Sequence, residues 1–114
     1  MENNEYALYQ VHMQLQNASD YITIKPILST TLDYNHIRDI LINHKIHTLY
    51  HAAAYKHVPL VEKNTVAAAN NNILGTLSIA RAALNTGVQT FVLISTDKAV
   101  RPTSTMGATK RFAE

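Results

Sequence analysis

The chain has 114 residues, 46% apolar and 16% charged, with a formal net charge of +2: room for one folded domain at most, and not a disordered composition. It has no cysteine, which excludes disulfides and cysteine-ligated zinc and is compatible with a reducing cytoplasm. The basic residues are scattered, which leaves no case for nucleic acid, and no apolar run approaches the roughly 20 residues of a membrane span.

Residues 3 to 17 read as a helix that Asn3 or Asn4 can cap, with Glu5 favouring its first turn. Tyr6, Tyr9, Met13 and Gln16 beside Leu8, Val11 and Leu15 give it a broad apolar stripe, and Asn17-Ala18-Ser19-Asp20 ends it. Tyr21-Ile22-Thr23-Ile24 is a strand by β-propensity, running past Pro26 toward Leu28 as an edge, and Ser29-Thr30-Thr31 is a loop. Asp33 can cap a second helix over about 34–44, with Ile37, Ile40 and Leu41 inward. Ile46 to Tyr50 is the next strand and runs into His51-Ala52-Ala53-Ala54, where small residues permit close approach by a ligand or a backbone.

Tyr55 to Lys63, with Pro59, reads as a connection, and Asn64 as the cap of a long helix over about 65–85. Val66, Ala69, Asn70, Ile73, Leu77 and Ala80 have helical spacing there, and Gly87 stops the helix. Phe91-Val92-Leu93-Ile94, within a strand over 90–95, reads as buried on both faces and gives way to Ser95-Thr96-Asp97-Lys98. Pro102 and Thr103-Ser104-Thr105 then break the strand and start a helix on which Met106 and Lys110 share a face. Helices alternating with strands predict βαβ units and a parallel sheet.

Polar, ionisable groups at the carboxyl end of a buried strand sit where open α/β sheets bind ligands. Asp97-Lys98 beside Lys110 therefore reads either as a surface charge pair or as the carboxylate, amine base and fixed cation of a site. Tyr55-Lys56-His57 faces either a phosphate or water. Asn70-Asn71-Asn72 is unfavourable inside a helix, so at least one of the three should have a polar task within the fold. The histidines at 44, 47, 51 and 57 lack ligand spacing, so no metal site is expected. The three glycines, at 75, 87 and 107, form no Gly-rich loop.

Three stretches carry a resemblance: His51-Ala-Ala-Ala-Tyr-Lys-His-Val-Pro-Leu-Val-Glu62, Asn72-Ile-Leu-Gly-Thr76, and Leu93-Ile-Ser-Thr-Asp-Lys-Ala-Val-Arg-Pro102 with Met106-Gly-Ala-Thr-Lys-Arg111. They closely resemble the CapD-type polysaccharide-biosynthesis family, nucleotide-sugar 4,6-dehydratases such as UDP-N-acetylglucosamine 4,6-dehydratase within the extended short-chain dehydrogenase/reductase superfamily. The resemblance implies an α/β fold: an incomplete NAD(P)-binding, Rossmann-like domain over 1–114 with the family's strands three, four and five and their flanking helices. It also implies a held NADP or NAD, a UDP-sugar substrate, oxidation at C4, loss of water across C5 and C6, and reduction at C6. By resemblance Lys98 removes the C5 proton, Asp97 protonates the departing 6-hydroxyl, Thr96 bonds the C4 oxygen and Lys110 binds the nicotinamide ribose. Ala52, Ala53, Lys56, Ile94 and Ser95 would line the cofactor, Asn72 would hold the local backbone or a water, and Leu60 would approach the sugar.

Two departures stand out. Met106 occupies the position of the superfamily's usual tyrosine base, as in the long, membrane-associated branch of the family, so proton transfer moves onto Asp97 and Lys98. Thr30 stands where many relatives carry an adenine-contacting aspartate. The family also places a strand, a Gly-x-Gly-x-x-Gly turn, a helix and a second strand before the residues matching Glu2 to Tyr9, and a sugar-nucleotide-binding part after Lys110. These lie outside the sequence, so the resemblance implies an internal piece that is inactive alone, or a non-catalytic module pairing with a full-length homologue. A cytoplasmic setting, no membrane contact from this segment and self-association through exposed sheet edges are expected. Strands four and five should pair in parallel, and residues 1–44 should be misplaced, poorly packed or paired with strand four.

Overall fold

The computed structural model describes residues 1–18 and 21–114, so the Ser19-Asp20 part of the expected helix end lies outside the described residues. The chain divides into two units, Met1–Thr30 and Thr31–Glu114. In the first, helix α1 (Glu5–Ala18) starts at Asn4, whose Oδ1 accepts the Ala7 N–H at 2.9 Å, but no residue of α1 is buried. The strand expected from Tyr21 does not form. Among the described residues this segment shows one isolated parallel bridge, Glu2 to Leu28, with the Ser29 N–H donating to the Glu2 carbonyl at 3.0 Å. β-Branched residues favour an extended backbone, but a strand needs a ladder, and the described residues supply one bridge.

The second unit begins with α2 (Tyr34–Asn43), capped as expected by Asp33, whose side chain accepts the His36 N–H at 3.0 Å. Strand β1 (Thr48–His51) pairs in parallel with β2 (Thr90–Leu93), Leu49 opposite Phe91 and His51 opposite Leu93. The two central strands expected to be neighbours are neighbours, though shorter than the sequence suggests. Leu49 and Phe91 rest against Ile37 and Leu41 of α2 and Ile79, Ala82 and Ala83 of the helix preceding β2, and this is the main core. Residues 31–44, expected to pack poorly, are therefore part of it: Ile37 is 2% exposed. The opposite face of the sheet is open. Tyr50 of β1 is 71% exposed, and the second strand is not buried on both faces: Phe91, Val92 and Leu93 are half-buried and Ile94, just beyond β2, is 47% exposed.

Tyr55–Lys63 is not a plain connection. Val58–Lys63 forms a short helix, α3, with Pro59 in its first turn, where a missing N–H costs nothing. Asn64 then separates α3 from α4 (Thr65–Ala69), but its side chain donates back to the Leu60 carbonyl at 2.9 Å instead of capping forward. The long helix is interrupted by a π-helical turn at Asn70–Leu74 before α5 (Gly75–Asn85). Its inward face is also not the one read from apolar spacing. Val66 is 73% and Leu77 44% exposed, while Ala68, Asn71, Asn72, Gly75, Thr76, Ile79, Ala82 and Ala83 are buried. Small residues face inward because the helix lies close to its neighbours. A Cβ on Gly75 would run into the side chain of Thr31, itself 7% exposed. Gly87 ends α5 at φ 75°. Beyond β2, a single 3₁₀ turn (Asp97–Ala99) leads to α6 (Thr105–Ala113), capped by Ser104. Val61, Ala68 and Met106 form a second small core between α3, α4 and α6.

Gly75→Ala should lower unfolding stability by about 1–3 kcal/mol through overpacking. Thr31→Ala in the same chain should recover part of that loss, a non-additivity that a urea-denaturation double-mutant cycle measures.

Candidate functional site

The carboxyl ends of β1 and β2 lie side by side, and the segments leaving them, 52–57 and 94–98, carry most of the residues singled out in the sequence. Asn72 fixes the first segment. Its side chain is fully buried and uses its whole hydrogen-bonding capacity. Oδ1 accepts from the Tyr55 N–H at 2.8 Å and from Asn71 Nδ2 at 3.1 Å. Nδ2 donates to the Tyr55 carbonyl at 3.1 Å and to Thr109 Oγ1 at 2.9 Å. One amide thus replaces a strand partner for Tyr55 and ties that loop to α6. The π turn makes this possible: the Gly75 N–H reaches back five residues to the Asn70 carbonyl, and Asn71 and Asn72 both face inward while Asn70 stays exposed.

His51, 2% exposed, extends the network. The Thr76 hydroxyl donates to the Asn72 carbonyl at 2.7 Å, so it accepts from His51 Nε2 at 2.9 Å, which assigns the proton to Nε2. Burial, and secondarily the charge of Lys110, push the His51 pKa down to about 4, so the imidazole is neutral at pH 7. Lys110 is also buried, and its Nζ donates to the Ile94 carbonyl at 2.7 Å. Its burial holds its pKa below the ordinary lysine value.

At the end of β2, Thr96 caps the 3₁₀ turn: its hydroxyl donates to Asp97 Oδ1 at 2.9 Å and accepts the Lys98 N–H at 3.3 Å. Lys98 Nζ stands 3.5 Å from Asp97 Oδ1, with both side chains open to solvent. The Thr96 hydroxyl first, and the Lys98 charge second, hold the Asp97 carboxyl below its usual range. Asp97 is therefore a carboxylate at neutral pH. Ser95 Oγ bonds to Glu114, which also pairs with Arg111. Ala52 and Ala53 are exposed, presenting no side chain beyond Cβ at the strand end.

Met106 is 4% exposed and packs on Val61 and Ala68. Lys56 and Leu60 line a groove of about 450 Å³ with Ala54, Tyr55 and Asn64. The structure thus unites Ile94 with Lys110, Thr96 with Asp97 and Lys98, and Asn72 with the 52–57 loop and α6. Sequence reasoning missed Glu62, which binds Thr105, and the Thr76 and Thr109 hydroxyls. A contact from Glu62 to a helix 43 residues later leaves no local signal. Thr76, four residues after Asn72, does fit the pattern of a hydroxyl bonding back along a helix.

A parallel strand pair with a helical crossover and polar groups at the strands' carboxyl ends defines part of a Rossmann-like fold of the nucleotide-sugar epimerase and dehydratase kind. The chain belongs to the family described as polysaccharide biosynthesis protein, whose model matches residues 1–114. It is 42% identical over 113 residues to the capsular polysaccharide biosynthesis protein CapD of Staphylococcus aureus, covering 98% of this chain and 19% of that protein. It thus spans about a fifth of that relative's length. Pen from Bacillus thuringiensis superposes with a TM-score of 0.86 at 29% identity, over 98% of this chain and 33% of Pen. DesIV of Streptomyces venezuelae, a dTDP-glucose 4,6-dehydratase solved with NAD and TYD bound, shares the fold: TM-score 0.78, 19% identity, 91% of this chain and 35% of that one. UDP-glucose 4-epimerases share it too, one of them solved with UDP-glucose. No helix among the described residues is long and apolar enough to cross a membrane.

His51 gives a pH dependence of fixed sign. In the unfolded chain it takes a proton near its ordinary value of about 6.5, in the folded chain only near 4. The neutral, buried ring therefore contributes its full stability above pH 6.5 and loses it progressively as pH falls toward 4. Urea unfolding between pH 7 and pH 4.5 should show that fall, and His51→Gln, whose amide can still donate to Thr76, should flatten it.

Proposed function

We propose that the chain supplies the acid–base and nicotinamide-facing part of a nucleotide-sugar 4,6-dehydratase, working on a UDP-sugar on the cytoplasmic side in surface-polysaccharide synthesis. The observation that carries this reading is the convergence of the Thr96-Asp97-Lys98 turn and Lys110 at one end of a parallel sheet, with Lys110 Nζ fixed on the carbonyl of Ile94. Family membership and the dehydratase fold likeness support it.

Residues 1–114 form part of an NAD(P)-binding domain in this reading. Lys110 spends one ammonium N–H on Ile94 and keeps two for a ribose, while Ala52 and Ala53 leave room at the strand end, so these residues fit the nicotinamide end of a dinucleotide. When bound, NAD or NADP supplies reversible hydride acceptance. In this reading Lys56, Ile94 and Ser95 line the cofactor, Asn72 holds the backbone of Tyr55, and Leu60 borders the sugar. Thr96, whose hydroxyl donates to Asp97 in this structure, turns that proton to the C4 oxygen in this reading. With C4 a ketone, the C5 proton is acidic, and the Lys98 amine removes it. The C6–O bond then breaks as Asp97 gives the departing hydroxyl a proton, so that water leaves. Uncovered, the pair stands as carboxylate and ammonium, so once the sugar shields it from water the Lys98 ammonium passes one proton to Asp97, leaving the amine and the carboxylic acid that the elimination uses. Met106, buried and without an exchangeable proton, contributes volume.

A second reading, a non-catalytic module that pairs with itself or a full-length homologue, is favoured by the sheet itself. It has two strands, and neither outer edge has a strand partner among the described residues. Calorimetric titration with NAD and NADP separates the readings: micromolar affinity supports the first, and no heat at millimolar dinucleotide supports the second. Catalysis is tested in a full-length family member carrying residues 1–114 in place of its own segment. Lys98→Ala should abolish exchange of the sugar C5 proton with solvent while cofactor stays bound, and Met106→Leu should retain activity within about tenfold. Equal loss from both would refute the assignment of the base.

A further inference from the structure

Helix α6 carries Met106 and Lys110, so whatever fixes its first turn also fixes the site. A helix N-terminus has N–H groups with no partner inside the helix. Ser104 accepts one of them, the Gly107 N–H at 3.2 Å. The Thr105 N–H is bound from outside by Glu62 of α3: Oε1 accepts it at 2.6 Å, and Oε2 accepts the Thr105 hydroxyl at 2.7 Å. Both carboxylate oxygens are thus committed to one residue, with negative charge at the positive end of the helix dipole.

This differs from an ordinary surface charge. Glu62 is exposed, but where a surface carboxylate commonly binds water or a mobile side chain, this one binds a backbone N–H, which cannot swing away. Val61, next to Glu62, packs on Met106, so α3 grips the same turn by apolar contact. The opposite side of that turn is also closed. A Cβ on Gly107 would strike the Lys98 carbonyl oxygen and press on Pro102, so α6 lies hard against the Asp97–Ala99 turn. The first turn of α6 is held between Glu62 on one side and the Lys98 backbone on the other.

We propose that Glu62 is a positioning residue: by clamping Thr105 it sets where α6 stands, and with it Lys110 and the Asp97-Lys98 turn. The clamp is independent of the function, while its bearing on cofactor binding rests on the dehydratase reading above.

The test uses the 114-residue chain with Glu62→Ala, Glu62→Asp and Glu62→Gln. Amide hydrogen exchange by NMR should accelerate at least tenfold at Thr105 and Gly107 in the Ala and Asp variants, the latter one methylene too short. Amides of Leu49–His51 and Ile79–Ala83 should stay within twofold, and resonances of Asp97–Ala99 should shift. Gln, whose amide oxygen still accepts the Thr105 N–H, should stay within threefold of the parent. Acceleration spread equally over all elements, or none at Thr105 and Gly107, overturns the clamp. Titration with NAD gives the second arm. Affinity should fall at least tenfold in the Ala variant and return to within threefold in Gln, and an unchanged affinity with a loosened α6 overturns the positioning role. If the parent chain binds no NAD, the dinucleotide reading fails, and the exchange data alone decide the clamp.

Discussion

The second unit of this chain depends on one buried side-chain amide. Asn72 sits on a helix, yet it pairs with the N–H and the carbonyl of Tyr55 as a neighbouring strand would, and reaches Thr109 on α6 with its remaining donor. Without it, the N–H and carbonyl of a loop residue and a helix hydroxyl would all need other partners. Each buried polar group left unpaired costs on the order of 1–3 kcal/mol, at least the net contribution of an ordinary hydrogen bond. The π turn at Asn70–Leu74 is the local cost of that arrangement. Its widened backbone lets two successive asparagines face inward where a regular α-helix would turn one away.

The same network sorts the charges. Lys110 is buried with a carbonyl for its partner, and the neighbouring imidazole of His51 is held neutral, because a second cation in the same dry surroundings would be repelled as well as desolvated. A neutral His51 with its proton on Nε2 completes the chain from β1 through Thr76 to the Asn72 carbonyl. The order runs from the strand end to the helix without an ionised group other than Lys110. The groups to which the proposed mechanism gives proton transfer lie elsewhere, on the solvent-exposed turn of Asp97 and Lys98.

Much of this was legible in the sequence, and the failures have identifiable causes. Asp33 as a cap, a helix start at Thr103-Ser104-Thr105, Gly87 as a stop and a parallel sheet followed from local chemistry and alternation, and the pairing of the two central strands from the family resemblance. The inward face of the long helix did not, because apolar spacing favours Val66 and Leu77, whereas close packing selects Ala68, Gly75 and Ala82. The strand expected at 21–24 needed partners that a propensity scale cannot supply. Asn70-Asn71-Asn72 was recognisable as an anomaly requiring a polar task, but its partners Tyr55 and Thr109 lie 17 and 37 residues away. The cluster at 94–98 was legible as a candidate site from its place after an apolar strand, while the Glu62 contact with Thr105 depends on the fold alone.

Met106 shows how these constraints bear on chemistry. Its thioether is packed between Val61 and Ala68, inside the small core that holds α3, α4 and α6 together. A group in that position is dry, surrounded by hydrocarbon and tied to the helix geometry. A proton-transferring side chain there would need a polar partner that this core does not offer. The Asp97-Lys98 turn has the opposite properties: both side chains reach solvent, while Thr96 and the close approach of Gly107 fix the backbone beneath them. Under the dehydratase reading, rigidity and proton transfer are therefore assigned to different residues. The buried helix face sets distances, and the open turn keeps groups that can gain and lose a proton once a sugar covers them.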